Sequence, residues 1–454
     1  MKKQSYIKGA AIISAGGFLS KLLGALYRIP LVAYLGGTGM GIYQMVYPLY
    51  CILLTVSASG IPTGIARIIS SGEGSGAEKK AFYIYGAIGL AGSLIMFACS
   101  SLLARAQGEP AVAQCCAYLS PSVFFVALIS IVRGYFQGRG NMYPTAITEV
   151  LEQVVKVAVG VAAASLYKGD VVKATAAAVF AVTVSEAVTA LFAIALYIGK
   201  KSDRKPLYRV KEISAKKIFA YTVPLTLTAI ALPASQLIES IAIVNLLRKT
   251  VENATALYGI FSGCAVTIIN LPVSVSYGLA AASVPQISPL AAKGDIVGAK
   301  RLVRKSLLYT LLISVPSAVM LFVFAPIAGR LLFSSLSREE LNLLITLVRI
   351  MAINAVTSSL VQTSSACITS LGKPLLGTVT QWTTCLLRVG VSAALVAFTP
   401  LSIIGVAISA NCCYLVAVIL NLCYIKAVKT RRGNTHVDNI DRLGNKARRF
   451  NQIG

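Results

Sequence analysis

Histidine is almost missing from this chain. Its one copy, His436, lies in the C-terminal tail, so no imidazole is available inside the body of the protein for acid–base work or metal ligation. Carboxylates are scarce as well, 16 against 42 Lys and Arg, and charge of either sign makes up only 13% of the residues. The loops expected on the outer side are short and carry no paired carboxylates. That argues against a membrane-embedded glycosyl or phosphoglycosyl transferase, which needs acidic groups and room for a sugar nucleotide at a membrane face. Ten cysteines are present, but all fall within apolar stretches with no His nearby, and they read as small buried hydrophobes rather than disulfides or metal ligands. No metal, cofactor or enzymatic activity is expected.

What fills the chain instead is apolar. Hydrophobic residues make up 56% of it and the mean hydropathy is +0.75, which places it among integral membrane proteins. Segments of roughly 20 or more residues, long enough to cross a bilayer as helices, recur along its length. The predicted spans are 6–35, 41–70, 81–104, 111–137, 142–167, 171–199, 216–246, 254–288, 302–332, 341–370, 374–398 and 401–425. The first is too long for a signal-peptide core and lacks a small-residue cleavage site, so it reads as a retained helix. The expected fold is all-α and polytopic, with about twelve transmembrane helices in two six-helix bundles around a central cavity. Residues 1–199 form an N-terminal lobe, 200–215 a basic cytoplasmic linker, 216–427 a C-terminal lobe, and 428–454 a basic cytoplasmic tail.

A net charge of +26 suggests nucleic acid at first sight, but the placement of the charge points elsewhere. With the N-terminus inside, 29 of the 42 basic residues fall in tails and inner loops and 7 in outer loops. This is the positive-inside bias, and it predicts a cell-membrane protein with both termini cytoplasmic and no nucleic-acid partner. The linker "KKSDRKPLYRVKEISAKK" (200–217) and the tail from Lys426 each carry eight basic residues, suited to anchoring at an anionic leaflet of membrane lipids.

Six spans on each side of the linker give both halves the same orientation, so a repeat between them would be parallel. Residues 41–70 can be laid on 259–288 without a gap, matching Gly41 with Gly259, Gly60 with Gly278 and Ser70 with Ser288. A second register sets "GRGNM" (138–142) against "SLGKP" (370–374) and places Lys156 opposite Arg388.

The informative residues are the charges inside the spans. Ser14, Lys21 and Arg28 recur at seven-residue steps, within roughly 40° of one another around the first helix. In lipid each such charge costs about 2.5–3.5 kcal/mol or more, so this stripe should face the bundle interior or a water-filled cavity. In the fifth span, Thr145, Thr148, Glu149, Glu152, Gln153 and Lys156 make a polar face, on which Glu152 and Lys156 stand at i and i+4, the spacing of a helical ion pair. The eleventh span presents Thr380, Thr384 and Arg388 at steps of four. Glu186 and Glu239 lie within the sixth and seventh spans, as candidates either for proton or Na⁺ coupling or for neutralising a neighbouring Arg. Arg67 and Arg349 are nearer helix ends and within reach of the interface. Basic residues in the spans outnumber acids, and a net-positive cavity favours an anionic substrate, phosphate or pyrophosphate above all.

The stretches "SKLLGALYRIPLVAYLGGTGMGIYQMVYPLYCILLTVSASGIPTGIARIIS" (20–70) and "RGYFQGRGNMYPTAITEVLEQVVKV" (133–157) resemble the stage V sporulation protein B group of polysaccharide transporters. That group belongs to the multidrug, oligosaccharidyl-lipid and polysaccharide exporter superfamily, which also holds the peptidoglycan lipid II flippases. The resemblance implies two six-helix lobes, alternating access, and export of a lipid-linked oligosaccharide or lipid II-like substrate. It also implies that intramembrane arginines of the first lobe, here Arg28 and Arg67, meet the pyrophosphate head group. With them Lys21, Lys156 and Arg388 complete the expected substrate-binding set. The group usually has fourteen spans, whereas this sequence turns polar after residue 425, which leaves the lipid-tail groove of the family without an expected counterpart. Twelve spans is also the number in the drug-exporting branch, so a cation-coupled multidrug antiporter is the alternative. Its organic-cation substrates would suit a net-negative, aromatic-lined cavity better than a positive one. A purely structural role as a scaffold for cell-wall enzymes would explain the basic tails but not the charges within the spans.

Overall fold

The computed structural model describes residues 6–58, 62, 65–66, 77–199 and 215–428, and all the regular structure within them is helical. The helices are α1 (Tyr6–Ala58), α2 (Ala77–Ala98), α3 (Ser100–Gln107), α4 (Ala111–Leu119), α5 (Ser122–Gly138), α6 (Tyr143–Leu166) and α7 (Val171–Gly199). There follow α8 (Ala215–Leu247), α9 (Ala254–Gly259), a π-helical turn Ile260–Ala265, α10 (Val266–Ala292), α11 (Ile296–Leu332), α12 (Arg338–Ser370), α13 (Pro374–Phe398) and α14 (Ser402–Ala427).

Among the described residues nine helices are long and apolar enough to cross a membrane, or ten if the α2–α3 pair, bent by 47°, is one broken span. This is fewer than the twelve expected, for two physical reasons. The first two expected spans fall in one continuous helical stretch, Ala15–Val56. The fifth, α6, carries Glu149, Glu152 and Lys156, which lower its apolarity.

The α1 stretch is not straight. Gly36 takes φ 60°, ψ −168°, a backbone region essentially closed to residues with a Cβ. A straight helix would hold Arg28 and Tyr47 about 28 Å apart, yet both line the same cavity. The chain therefore folds back at Gly36 into two arms.

The lipid-side logic is plain in α11, where Leu308, Leu312, Val315, Val319 and Phe322 are all exposed at three- and four-residue steps. In α6 the polarity is reversed relative to a soluble amphipathic helix. Ile147 and Val154 face out, while Thr145, Thr148 and Lys156 are buried. The sequence register between the halves has a structural counterpart. Helix α5 ends at Gly138 and α12 at Ser370, and two residues later Gly140 (φ 73°) and Gly372 (φ 78°) make the same left-handed turn.

The two halves touch at the end of the molecule that carries Gly36. Gly41 packs so closely on the Thr255 carbonyl, and Gly259 on Gly37 and Gly41, that a Cβ at either would collide with backbone. These are Gly41 and Gly259 of the repeat alignment, brought face to face. Beside them Gln107 donates to the Met45 carbonyl and to Ser240 Oγ, each at 3.0 Å. Arg248 reaches across from α8 to the Gln107 carbonyl at 2.9 Å and to Glu109 Oε2 at 3.1 Å, and Thr255 also donates to that carboxylate at 3.0 Å.

Candidate functional site

Behind this contact lies a cavity of about 470 Å³, walled by both arms of α1, α6, α10 and α12. The first arm of α1 can lie close to α6 because small residues face it. Ala146 sits against Gly16, and an added Cβ at Gly24 would stand 3.2 Å from Gln153 Oε1. That close approach aligns the α1 stripe with the polar face of α6, and Lys21, Arg28 and Lys156 come together on one cavity wall.

None of these three has a carboxylate partner among the described residues. Arg28 donates to Thr267 Oγ1 at 2.7 Å, a neutral acceptor on α10. The Lys21 ammonium stands 3.0 Å from the centroid of the Tyr277 ring, also on α10. Lys156 is 7% exposed. No Asp or Glu lines the cavity. The remaining lining is hydroxyl, amide and aromatic, including Tyr27, Tyr43, Tyr47, Gln153, Asn270 and Gln362.

Three of the four acids of the spans are engaged elsewhere, while the fourth, Glu149, stands beside Gly17 on the first arm of α1 and makes no hydrogen bond or ion pair among the described residues. Glu152 pairs with Arg133 at 3.4 Å, and not with Lys156 as their i, i+4 spacing suggested. Arg133 is further held by Thr148 Oγ1 at 2.9 Å. Glu239 and Arg388 form a two-pronged pair, Nε to Oε1 at 3.0 Å and a terminal guanidinium nitrogen to Oε2 at 2.9 Å, with only 3% of the Glu239 side chain exposed. Glu186, 2% exposed on α7, accepts from the Tyr50 hydroxyl at 3.1 Å, and its second oxygen has no hydrogen-bond partner among the described residues.

Of the sequence-predicted binding residues, the structure thus gathers Lys21, Arg28 and Lys156 and sets Arg388 apart in an ion pair inside the second half. Arg67 lies outside the described residues. Arg349 sits near the Phe322 ring on the surface of α12, 5.9 Å from its centroid. The sequence reading missed Arg133, although its position in the apolar run "SVFFVALISIVRGYFQ" was a signal. It also missed the tyrosines and the α10 residues, which carry no charge to draw attention.

Such a cavity can hold an anion between two halves that pack closely at the Gly36 end and touch again inside the cavity through Arg28 and Thr267. A family model described as "Polysaccharide biosynthesis protein" matches residues 6–291, and one described as MatE matches 224–394. Stage V sporulation protein B of Bacillus subtilis (strain 168) is 27% identical over 353 residues, 74% of this chain and 68% of that protein. Lipid II flippase MurJ of the same organism is 22% identical over 344 residues, which cover 69% of this chain and 63% of the flippase. Among solved structures, the inward-facing conformation of a multidrug resistance MATE family transporter of the MOP superfamily matches with TM-score 0.70 at 19% identity, covering 95% of this chain and 98% of that one. The outward-facing conformation of such a transporter gives 0.67 at 19% identity, over 92% and 95%. A Pyrococcus furiosus Vc1 MOP superfamily transporter, described as having a binding pocket of reverse polarity, gives 0.67 at 18% identity, over 92% and 96%. The chain therefore belongs to the polysaccharide biosynthesis protein family, and it shares the fold of multi-pass transporters of the MOP superfamily.

Proposed function

We propose that this transporter exports a saccharide carried on a lipid pyrophosphate, moving its anionic head group from the inner to the outer leaflet of the cell membrane. The observation that carries this reading is the cavity wall of Lys21, Arg28 and Lys156 with no acid in the lining. Lys156 is buried, Arg28 half-buried and Lys21 exposed to the open cavity, and cations gathered without a carboxylate partner are stabilised by an anion, which a guanidinium meets with a fork of donors. Arg67 is assigned to the same head group by the family resemblance. Arg388, held by Glu239 in this conformation, would reach the substrate only after that pair opened.

The reading includes twelve spans in two six-helix lobes with both termini cytoplasmic. The fold-back at Gly36, the charged but inward-facing polar side of α6, and the matched turns at Gly140 and Gly372 support it. In that orientation the Gly36 end is the outer end, and the seal there leaves the cavity to be loaded from the inside.

A cation-coupled multidrug antiporter is the second reading, and the fold comparisons favour it over the first. The solved structures described above include multidrug resistance MATE transporters, and the MatE model matches the second half of the chain. Buried Glu186, with one carboxylate oxygen unpartnered, is a candidate coupling site for a proton or Na⁺.

The deciding experiment is binding by the purified protein in nanodiscs. Undecaprenyl pyrophosphate should bind and be displaced by rising salt, while a tetraphenylphosphonium cation should not compete. Competition by the cation, with no binding of the pyrophosphate lipid, would assign the protein to the drug-exporting reading.

A further inference from the structure

The two walls of the cavity are chemically unlike. Every charge sits on the first half, on α1 and α6, while the facing wall from α10 and α12 is neutral and polar. On that wall two groups stand out. The amides of Asn270 and Gln362 line the cavity and make no hydrogen bond to the protein among the described residues. Their neighbours are already engaged, Thr267 with Arg28 and with the Gly263 carbonyl, and Ser274 with the Leu271 carbonyl at 2.6 Å. Each free amide offers two donors and one acceptor oxygen. Asn270 is exposed to the open cavity and Gln362 half-buried, so both amides meet water there and are free to exchange it for a ligand that enters.

We infer that Asn270 and Gln362 read the saccharide of the substrate while the cationic wall holds its phosphates. This rests on the phosphate reading of Lys21, Arg28 and Lys156 and goes beyond it, by assigning the opposite wall to the neutral part of the same molecule. Three features fit together. Hydroxyls and acetamido groups are both donors and acceptors, which an amide meets with one side chain and an ammonium does not. The neutral wall carries no charge to pair with an ionised peptide or amino acid. A cavity of about 470 Å³ is within the range that takes a ligand of drug size, larger than a pyrophosphate alone requires. Because the two walls belong to different halves, a substrate carrying both parts touches both halves at once, whereas bare lipid pyrophosphate engages one.

The test uses the full chain in nanodiscs and two probes, undecaprenyl pyrophosphate and undecaprenyl-pyrophosphoryl-N-acetylglucosamine. The wild type should bind the glycosylated lipid about tenfold more tightly, the size that two neutral hydrogen bonds supply. The double variant Asn270→Ala, Gln362→Ala should bind both lipids alike, with its affinity for the bare lipid unchanged; that unchanged binding also reports an intact fold. Equal binding of the two probes by the wild type overturns the inference, and so does a preference that survives in the double variant. Arg28→Ala keeps the two assignments apart. If it binds both lipids as the wild type does while the amide variant loses its preference, the phosphate site falls and the saccharide wall stands.

Discussion

The Arg28 guanidinium and the Thr267 hydroxyl, 2.7 Å apart, join the first half of the molecule to the second inside the cavity. Since a hydroxyl cannot neutralise the charge, Arg28 keeps its full attraction for an anion while its position is fixed. Arg28→Ala should therefore insert and fold normally, because removing a cavity charge relieves a cost, and it should lose outward movement of labelled pyrophosphate-linked lipid by at least tenfold. Arg28→Lys should recover only part of it, since a point charge lacks the fork geometry. Thr267→Val keeps the charge, loses the bond between halves, and should fall well short of the loss in Arg28→Ala. The measurement is accessibility of the lipid at the outer leaflet of proteoliposomes; full transport by normally expressed Arg28→Ala would remove Arg28 from the site.

At the Gly36 end, Arg248 and Glu109 should act as a latch between halves. Their side chains are 28% and 20% exposed, so screening keeps the pair to about 1 kcal/mol or less. Arg248→Ala should shift the population toward the outward-open state by a few-fold at most. Gly259→Ala should shift it further, because its Cβ would collide with backbone that cannot yield. Distances between spin labels at the exposed positions Lys168 and Glu252, on opposite halves, should lengthen in that order. An unchanged distribution in Gly259→Ala would exclude this contact as the seal.

The legible part of the sequence was whatever charge and period could carry. The seven-residue step from Lys21 to Arg28 placed both on one face, and the α6 pattern put Lys156 inward; the cavity collects all three. Spacing along one helix does not see across helices. The i, i+4 relation of Glu152 and Lys156 pointed to a pair, but Arg133 from α5 competes for the carboxylate and leaves Lys156 to the cavity. Lys156 and Arg388 likewise share a register, yet Glu239 stands beside only one of them. The sequence separates 6–35 from 41–70 and keeps 142–167 as a span; the structure counts fewer apolar spans among the described residues because the helix runs on through the Gly36 reversal and α6 carries three charges.

Arg388 separates a structural charge from a substrate-facing one. Removing it would strand Glu239, nearly fully buried, without its counter-charge, and breaking a buried pair in this way costs about 3–5 kcal/mol. Arg388→Ala should lower the thermal midpoint in detergent sharply, and Glu239→Gln together with Arg388→Gln should restore most of it. Arg28→Ala should leave the midpoint within a degree or two of the wild type. A stable Arg388→Ala protein that fails to bind pyrophosphate lipid would instead put Arg388 in the substrate site.

Glu186 and Glu239 differ in what a coupling ion could find. Glu239 has both oxygens committed to Arg388, whereas Glu186 has one oxygen on the Tyr50 hydroxyl and the other unpartnered. A proton or Na⁺ needs a free acceptor, so the coupling role, if the transporter uses an ion gradient, falls to Glu186. Glu186→Gln should abolish the dependence of transport on an imposed pH or Na⁺ gradient while substrate binding stays within about twofold, since Glu186 does not line the cavity. Tyr50→Phe, which frees the second oxygen, should shift the gradient dependence without removing it. Glu239→Gln should instead destabilise the protein, because it leaves Arg388 as a buried charge facing a neutral amide. The measurement is uptake into proteoliposomes under each gradient separately. Gradient-dependent transport at the wild-type level in Glu186→Gln would take the ion away from Glu186 and leave the membrane potential as the driving force. That force has the right sign for an anion, with an inside-negative potential favouring outward movement by about 2.3 kcal/mol per charge per 100 mV.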